Sequence, residues 1–309
     1  MTREKTVYAL GFFDGVHLGH QALLEACRVL ALEKGATPGV VTFGDHPDTL
    51  VKGSVVPLIN TVSDRHKLLS QYGMVRIVML PFDKKLREMP WKAFFRMLLE
   101  NYEAVGLVCG DDFRFGYRGE GTAENLRSAC EEAGIPCVIV PGQSIDGVRI
   151  SSTYIRFLLE QGQMEQAVRF LGHPHVLSGE VIAGRQIGRT IGIPTANLAL
   201  PETVICPRLG VYACAAVIGS ERYSAVTNIG NRPTVGGQHV TVEPWLLNFD
   251  GDLYGKELKL EFYRFLRPEK KFASLEELQE EIQRNATQTL DFFEKSENFS
   301  LLLGKLMVS

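Results

Sequence analysis

The sequence predicts a two-domain protein: a parallel α/β sheet with helices on both faces, then an antiparallel β module followed by one helix. Three observations carry this. The first half alternates short apolar runs with segments of helical period, the pattern of a parallel sheet built from βα units. Past about residue 175 short strand-like runs separated by turn residues take over, as in a closed barrel or a sandwich. The length, 309 residues, is long for one core and comfortable for two.

In the first half TVYALGFF reads as a strand. GHQALLEACRVLALEKG reads as a helix, with Ala22, Leu23, Ala26, Val29 and Leu30 at helical spacing and Gly35 as its C-cap. GVVTF is a buried strand, and SDRHKLLSQYG a helix with Ser63 as N-cap and Gly73 as stop. VRIVML, AVGLVCG and IPCVIV continue the strands; PWKAFFRMLLENY and TAENLRSACEEAG continue the helices. Ligands of such sheets bind at the carboxyl ends of the strands. In the second half GEVIAG, GVYACAAVI, RYSAVTNI, HVTVEPWLLNF and KELKLEFYRFL are strand candidates, and a helix runs from Ser274 to about Gln283. The boundary is expected near LGHPHVLSG, which gives domains over 1–172 and 173–295 and a tail over 296–309.

The hydrophobic fraction is 45% and the formal charge −3, with no basic tract, which argues against a nucleic-acid surface. No apolar run approaches the roughly 20 residues that span a bilayer, and MTREKTVYAL lacks the apolar core of a signal peptide. A cytoplasmic protein without a membrane partner is expected, and nothing points to an obligate protein partner. None of the six cysteines falls in CxxC spacing, so structural thiols are expected rather than a metal or redox site.

GFFDGVHLGH, residues 11 to 20, lies where the first strand ends and the first helix begins. A helix N-terminus offers unpaired N–H groups and the positive end of a dipole, a ready phosphate site. Gly11, Gly15 and Gly19 permit sharp turns and close approach. His17 and His20 share a face of the opening turn, and both can donate to phosphate oxygens. The glycines do not fit a dinucleotide fingerprint, no Walker lysine follows, and no third ligand for a zinc pair stands nearby.

GFFDGVHLGH resembles the HxGH motif of the nucleotidylyltransferase superfamily, in its FDGVHxGH form. GDDFRFG at 110 to 116 and RISSTYIR at 149 to 156 resemble its partners in the bacterial bifunctional riboflavin kinase/FAD synthetase family. The resemblance implies a Rossmann-like nucleotidylyltransferase domain followed by an antiparallel β-barrel kinase domain with a C-terminal helix. It implies that Ser152, Thr153 and Arg156 close over a triphosphate, while ISST also suits an ordinary helix N-cap. It implies nucleotide contacts at Phe12, Asp112 and Phe113, a loop-orienting Asp14, and a catalytic pair in His17 and His20 helped by Arg156. The phosphate of FMN would attack the α-phosphorus of ATP and release pyrophosphate. The nucleophile is already an anion, so positioning and charge neutralisation, with Mg²⁺ on the phosphates, are what the site must supply.

Residues 184 to 197 read GRQIGRTIGIPTAN. Gly184, Gly188 and Gly192 alone fit a run of turns. Thr195 and Asn197 alternate on an extended chain and point to one face, where side-chain oxygens suit Mg²⁺ beside nucleotide phosphates. The segment resembles the riboflavin kinase signature, and TNIGNRPTVGG, VEPWLLNFDGDLYGKEL and LRPEKKFASLEELQEEI follow in the same order. The resemblance thus spans about residues 7 to 290. It implies a general base at Glu243, which must accept the proton of a ribityl hydroxyl, and flavin contacts at His46, Pro47 and Asn228. ATP is the co-substrate, riboflavin and FMN the acceptors, FMN and FAD the products.

The chain departs from the family pattern where VEVH reads VEPW, placing Pro244 and Trp245 beside Glu243, and where Asn248 replaces an aspartate. A proline there favours an edge or bulge. These departures keep alternatives open: an enzyme with one active half, or a non-catalytic flavin or nucleotide sensor. A cytidylyltransferase fits the first half alone, and the PTAN module disfavours it.

Overall fold

The computed structural model describes residues 4–44, 55–182, 192–199, 201–234 and 237–306, with side chains set aside at 232–239 and 296–306. His46, Pro47, Gly184 and Gly188 lie outside the described residues. Two compact units emerge: Met1–Tyr154 with Phe170–Gly172, and Ile155–Arg169 with His173–Ser309.

In the first unit β1 (Thr6–Leu10), β2 (Thr37–Phe43), β3 (Arg76–Leu80), β4 (Ala104–Gly110) and β7 (Cys137–Val140) form one parallel sheet in the order β3-β2-β1-β4-β7. The chain builds outward from β1 to one side, then returns to place β4 on the other. The gap between β1 and β4 is therefore the switch point at which such sheets bind ligands. Both faces are buried because neighbouring residues point to opposite sides. Tyr8 and Leu10 pack with Leu107 against α4 (Trp91–Tyr102) and α5 (Ala123–Glu132). Val7 and Ala9 pack with Val108 against α1 (Leu18–Lys34) and α2 (Val62–Gln71). Helices do cover both faces. A short α3 (Lys84–Arg87) and two small hairpins, β5 (Arg114–Phe115) with β6 (Gly121–Thr122) and β8 (Ser144–Ile145) with β9 (Val148–Arg149), fill the connections.

Local details differ from the periodicity. The core face of α1 is Leu24, Cys27, Leu30 and Ala31, whereas Val29 is 48% exposed. The helix is apolar over a wide arc, so packing on β1 and β2 selects the stripe. The cap of α2 is Thr61, whose hydroxyl accepts from the amide of Asp64, not Ser63. Gly35 does cap α1, at φ +56.

After α6 (Ser152–Glu160) and α7 (Met164–Leu171), a helix the periodicity does not announce, the chain enters a six-stranded antiparallel sheet. Its strands are β10 (His175–Glu180), β11 (Leu198–Ala199), β12 (Gly210–Ile218), β13 (Glu221–Thr234), β14 (Gly237–Leu246) and β15 (Glu257–Arg267), in the order β10-β15-β12-β13-β14-β11. A bridge between Val181 and Leu198 joins the two ends, so the sheet is a nearly closed barrel rather than a sandwich. Tyr212 and Phe262 are completely buried and meet edge to face at 5.5 Å. The last helix, α8, runs from Leu275 to Leu306, well past Gln283. Its Ala286 packs on Val211, Val226 and Leu247, beside Trp245.

Candidate functional sites

The first site grows from the end of β1. The loop after Leu10 makes a short 3₁₀ turn over Asp14–Val16 and enters α1. Only one motif glycine takes a left-handed conformation: Gly15, at φ +80. Phe13 and Val16 adopt φ +57 and +40 without the freedom of glycine, and a β-branched residue there is a strained position of the kind that gathers at functional sites. Gly11 and Gly19 serve close approach instead. A Cβ on either would lie 3.2 Å from the ring of Phe13 or of His17.

His17 caps α1: its Nδ1 accepts from the amide of His20 at 3.2 Å. That bond fixes the neutral tautomer with the proton on Nε2. The two imidazoles stack, centroids 3.6 Å apart and planes 10° off parallel. His20 Nδ1 is buried without a hydrogen-bond partner among the described residues. Burial, then the neighbouring His17 ring and the Arg65 guanidinium, hold its pKa well below the usual histidine value, so it stays neutral.

Neighbouring segments brace the loop. Asp14 is 1% exposed, and its Oδ1 accepts from the amide of Ile59 at 2.9 Å. The Asp14 carbonyl accepts from the Ser152 hydroxyl at 2.9 Å. Ser151 is the cap of α6, accepting from the amide of Tyr154. Ser152 therefore joins α6 to the loop, and Thr153 beside it is exposed. Arg156 follows four residues after Ser152 on the same helix, in the second of the two units. After β4, Asp112 accepts from Arg149 at 2.7 Å and Asp111 from the amide of Gly142 at 3.0 Å. Phe113 stacks on Phe115, centroids 5.4 Å apart.

Arg65 is a residue the motif reading misses. It is completely buried, donates to the carbonyls of Phe12 (3.2 Å), Phe43 and Gly44 (3.2 Å), and lies 4.5 Å from the centroid of Phe12. It fastens the ends of β1 and β2 and places a fixed positive charge beneath the loop. One signal was available: Arg65 shares a helical face with Leu68 and Leu69, which are buried. Gln21 is a second such residue, donating to Val16 and Leu171 carbonyls at 2.9 and 2.7 Å.

The second site is a cavity of about 360 Å³ between the outer face of the barrel and α8. Thr195, Asn228 and Glu243 line it together, with Trp245, Arg267, Glu269 and Lys270, and with Leu278 and Ile282 from α8. Asn228 and Glu243 are direct partners across β13 and β14, which is why residues fifteen apart in sequence meet. Apolar walls with a few convergent polar groups are the usual make-up of a small-molecule site. Asn197 is buried at 7% exposure and is not part of the cavity wall. Gly192 turns left-handed, at φ +72, just before the wall residue Ile193.

The departures around Glu243 are absorbed. The carbonyl of Pro244 turns away from β13 and accepts from the amide of Ala196 at 2.9 Å. Its missing N–H therefore falls where β13 needs no bond, and pairing runs on unbroken from Thr241 to Leu246. Asn248 sits at φ +61, a conformation asparagine tolerates. Glu269 and Lys270, from LRPEKKF, are wall residues that strand and helix patterning does not single out.

Comparison with known proteins matches both halves of the chain. The FAD synthetase family model matches residues 1–154, and the riboflavin kinase family model matches 171–293. The chain is 35% identical over 297 residues to the bifunctional riboflavin kinase/FMN adenylyltransferase of Bacillus subtilis, covering 94% of this chain and 93% of that one. It is 35% identical over 294 residues to the Escherichia coli K12 protein of the same name, covering 94% of each. A crystal structure titled macrolide-efflux protein, from Streptococcus pneumoniae, superposes with a TM-score of 0.85 at 29% identity, over 94% of this chain and 95% of that one. No helix among the described residues here is long and apolar enough to cross a membrane. Matched by both family models and by full-length relatives, the chain belongs to the bifunctional riboflavin kinase/FMN adenylyltransferase family.

Proposed function

We propose that each site carries one of two successive reactions, with the residue roles that follow. The second unit phosphorylates riboflavin to FMN, and the first adenylylates FMN to FAD with release of pyrophosphate; ATP serves both. The observation that carries the division is the pair of separate sites, a histidine-bearing phosphate loop in one unit and a carboxylate-bearing cavity in the other. We take 1–172 and 173–295 as the domains, with 296–309 as the end of the chain. Both reactions consume ATP, which supports a cytoplasmic setting.

In FAD formation, the amides at the start of α1, His17 Nε2 and His20 donate hydrogen bonds to the polyphosphate as the α-phosphorus is attacked. Arg156 and Thr153 contribute from α6, and Ser152 acts by holding the loop through Asp14. Asp112 and Phe113 face the nucleotide from the end of β4. In FMN formation, Glu243 accepts the proton of the ribityl hydroxyl as its oxygen attacks the γ-phosphorus. Asn228 contacts the flavin, with His46 and Pro47 as flavin contacts of the other site. The oxygens of Thr195 and Asn197 are neutral donors that fit Mg²⁺, a cation that keeps water ligands and takes the rest from phosphates. When bound, the ion supplies charge neutralisation on the transferring phosphates.

The test follows flavins by chromatography after riboflavin, ATP and Mg²⁺ are added to the purified protein. FMN should appear first and FAD second. His20→Ala should slow FAD formation about 10²- to 10³-fold and leave FMN formation intact. Glu243→Gln should slow FMN formation about 10²- to 10⁴-fold and leave adenylylation of added FMN intact. Equal loss of both activities in a folded variant refutes separate sites. Flavin binding without turnover would return the sensor reading.

A further inference from the structure

We propose that Thr241 is a positioning residue for riboflavin phosphorylation: its hydroxyl holds the Glu243 carboxylate ready to accept a proton, and turns to the Gly230 carbonyl once that proton has arrived. The inference rests on the reading of Glu243 as the base.

The geometry comes from the ladder between β13 and β14. Gly230 pairs with Thr241, and Asn228 pairs with Glu243. Thr241, Glu243 and Trp245 alternate along β14, so all three share one face, the face on which Glu243 and Trp245 line the cavity. Thr241 Oγ1 lies 3.0 Å from Glu243 Oε1 and 3.4 Å from the Gly230 carbonyl oxygen. A hydroxyl has one proton and donates to one acceptor at a time.

While Glu243 is ionised, the carboxylate is the stronger and nearer acceptor. The hydroxyl then pins Oε1, which fixes the direction of the other lone pairs. In the reaction the ribityl O–H bond breaks and its proton goes to Glu243. The freed oxygen bonds to the γ-phosphorus as the bond from that phosphorus to ADP breaks. Glu243 is now neutral and a weaker acceptor. Rotation of the Thr241 hydroxyl to the Gly230 carbonyl keeps its proton hydrogen-bonded, so the proton transfer leaves no half-buried donor unpaired. Opposite Thr241, a Cβ on Gly230 would come within 2.5 Å of Glu269 Oε1, the end of a side chain that also lines the cavity.

The experiment uses the full-length protein with Thr241→Val, Thr241→Ser, Thr241→Ala and Glu243→Gln. Riboflavin phosphorylation and adenylylation of added FMN are measured on the same preparations. Valine keeps the branched shape that suits a strand and removes only the O–H. Thr241→Val should lower kcat for FMN formation about 5- to 30-fold, the loss of one charge-assisted hydrogen bond, with KM for riboflavin within about twofold. Thr241→Ala should show the same loss of kcat. Thr241→Ser should restore kcat to within about threefold, because it restores the donor. FAD formation from added FMN should be unchanged in all. Wild-type kcat in Thr241→Val alongside a dead Glu243→Gln overturns the inference and leaves the base in place. A raised KM with unchanged kcat, or a loss that serine does not restore, also overturns it. Full phosphorylation by Glu243→Gln removes the base reading itself, and the inference with it.

Discussion

At the scale of single residues, two positions carry more physics than their letters suggest. Gly15 is the one glycine of GFFDGVHLGH that the loop requires for its conformation. At φ +80 an alanine is strained, and its Cβ would also meet Ile59 Cδ1 at 2.9 Å. Gly15→Ala should destabilise the first unit by about 1–2 kcal/mol and slow FAD formation while FMN formation is unchanged, as urea unfolding and flavin chromatography will read. His175 is the second. It is completely buried in β10 beside Phe262, and neither ring nitrogen has a hydrogen-bond partner among the described residues. Burial, with a smaller push from His173, takes its pKa from 6.5 down to about 3. The folded state keeps the ring neutral where the unfolded chain binds a proton, so stability falls as pH drops from about 6.5 towards 3 and is unaffected above that window. The slope is roughly 1.4 kcal/mol per pH unit. His175→Leu should remove about that much of the acid sensitivity between pH 6 and 5, measured by urea unfolding of the second unit. Neither position is legible from composition, because a glycine's φ and a histidine's desolvation depend on what folds around them.

At the scale of elements, α8 has a local pattern that leaves its packing partner open. SLEELQEEIQ announces an acidic amphipathic helix, and either packing or a role over the flavin fits it. The structure makes it a wall of the cavity, through Leu278, Ile282 and Asn285. It is tied to the end of β15 by Glu281, which lies 3.2 Å from Arg267 and 3.1 Å from Lys270, with Arg284 also at 3.1 Å. The hydrogen bond from Lys270, with the nearby arginines, keeps the Glu281 carboxyl below the usual glutamate value, so the tie holds across neutral pH and is lost only in acid. Glu281→Gln should raise KM for riboflavin about threefold to fivefold, a modest effect because the network is partly exposed, with adenylylation of FMN unchanged in a parallel assay. The strands were legible in kind from their alternation, while the cap at Thr61 and the buried stripe of α1 were not. Several residues at each position suit those roles locally, and only contact with the sheet selects among them.

At the scale of the whole molecule, the chain forms two units with their own cores, and the FAD synthetase and riboflavin kinase family models match its first and second halves. FMN is the product of one and the substrate of the other. A mixture of His20→Ala and Glu243→Gln proteins should therefore convert riboflavin to FAD, which neither variant achieves alone; chromatography showing FMN but no FAD would mean that FMN does not pass between molecules. The sequence by itself determined the βα alternation, the change to antiparallel strands near residue 175, and the motifs that mark a phosphate loop and a kinase signature. These are local: each is written in spacing, glycine placement and residue chemistry within a few turns of chain. Only the tertiary structure decided that the loop after β1 and the segment after β4 flank one switch point, that Arg65 lies buried beneath the loop, and that Thr195, Asn228 and Glu243 meet in one cavity under α8. The reason is physical. Sheet order, strand register and the burial of a charge are settled by long-range pairing and desolvation, whose free energies belong to the assembled fold and to no single stretch of it.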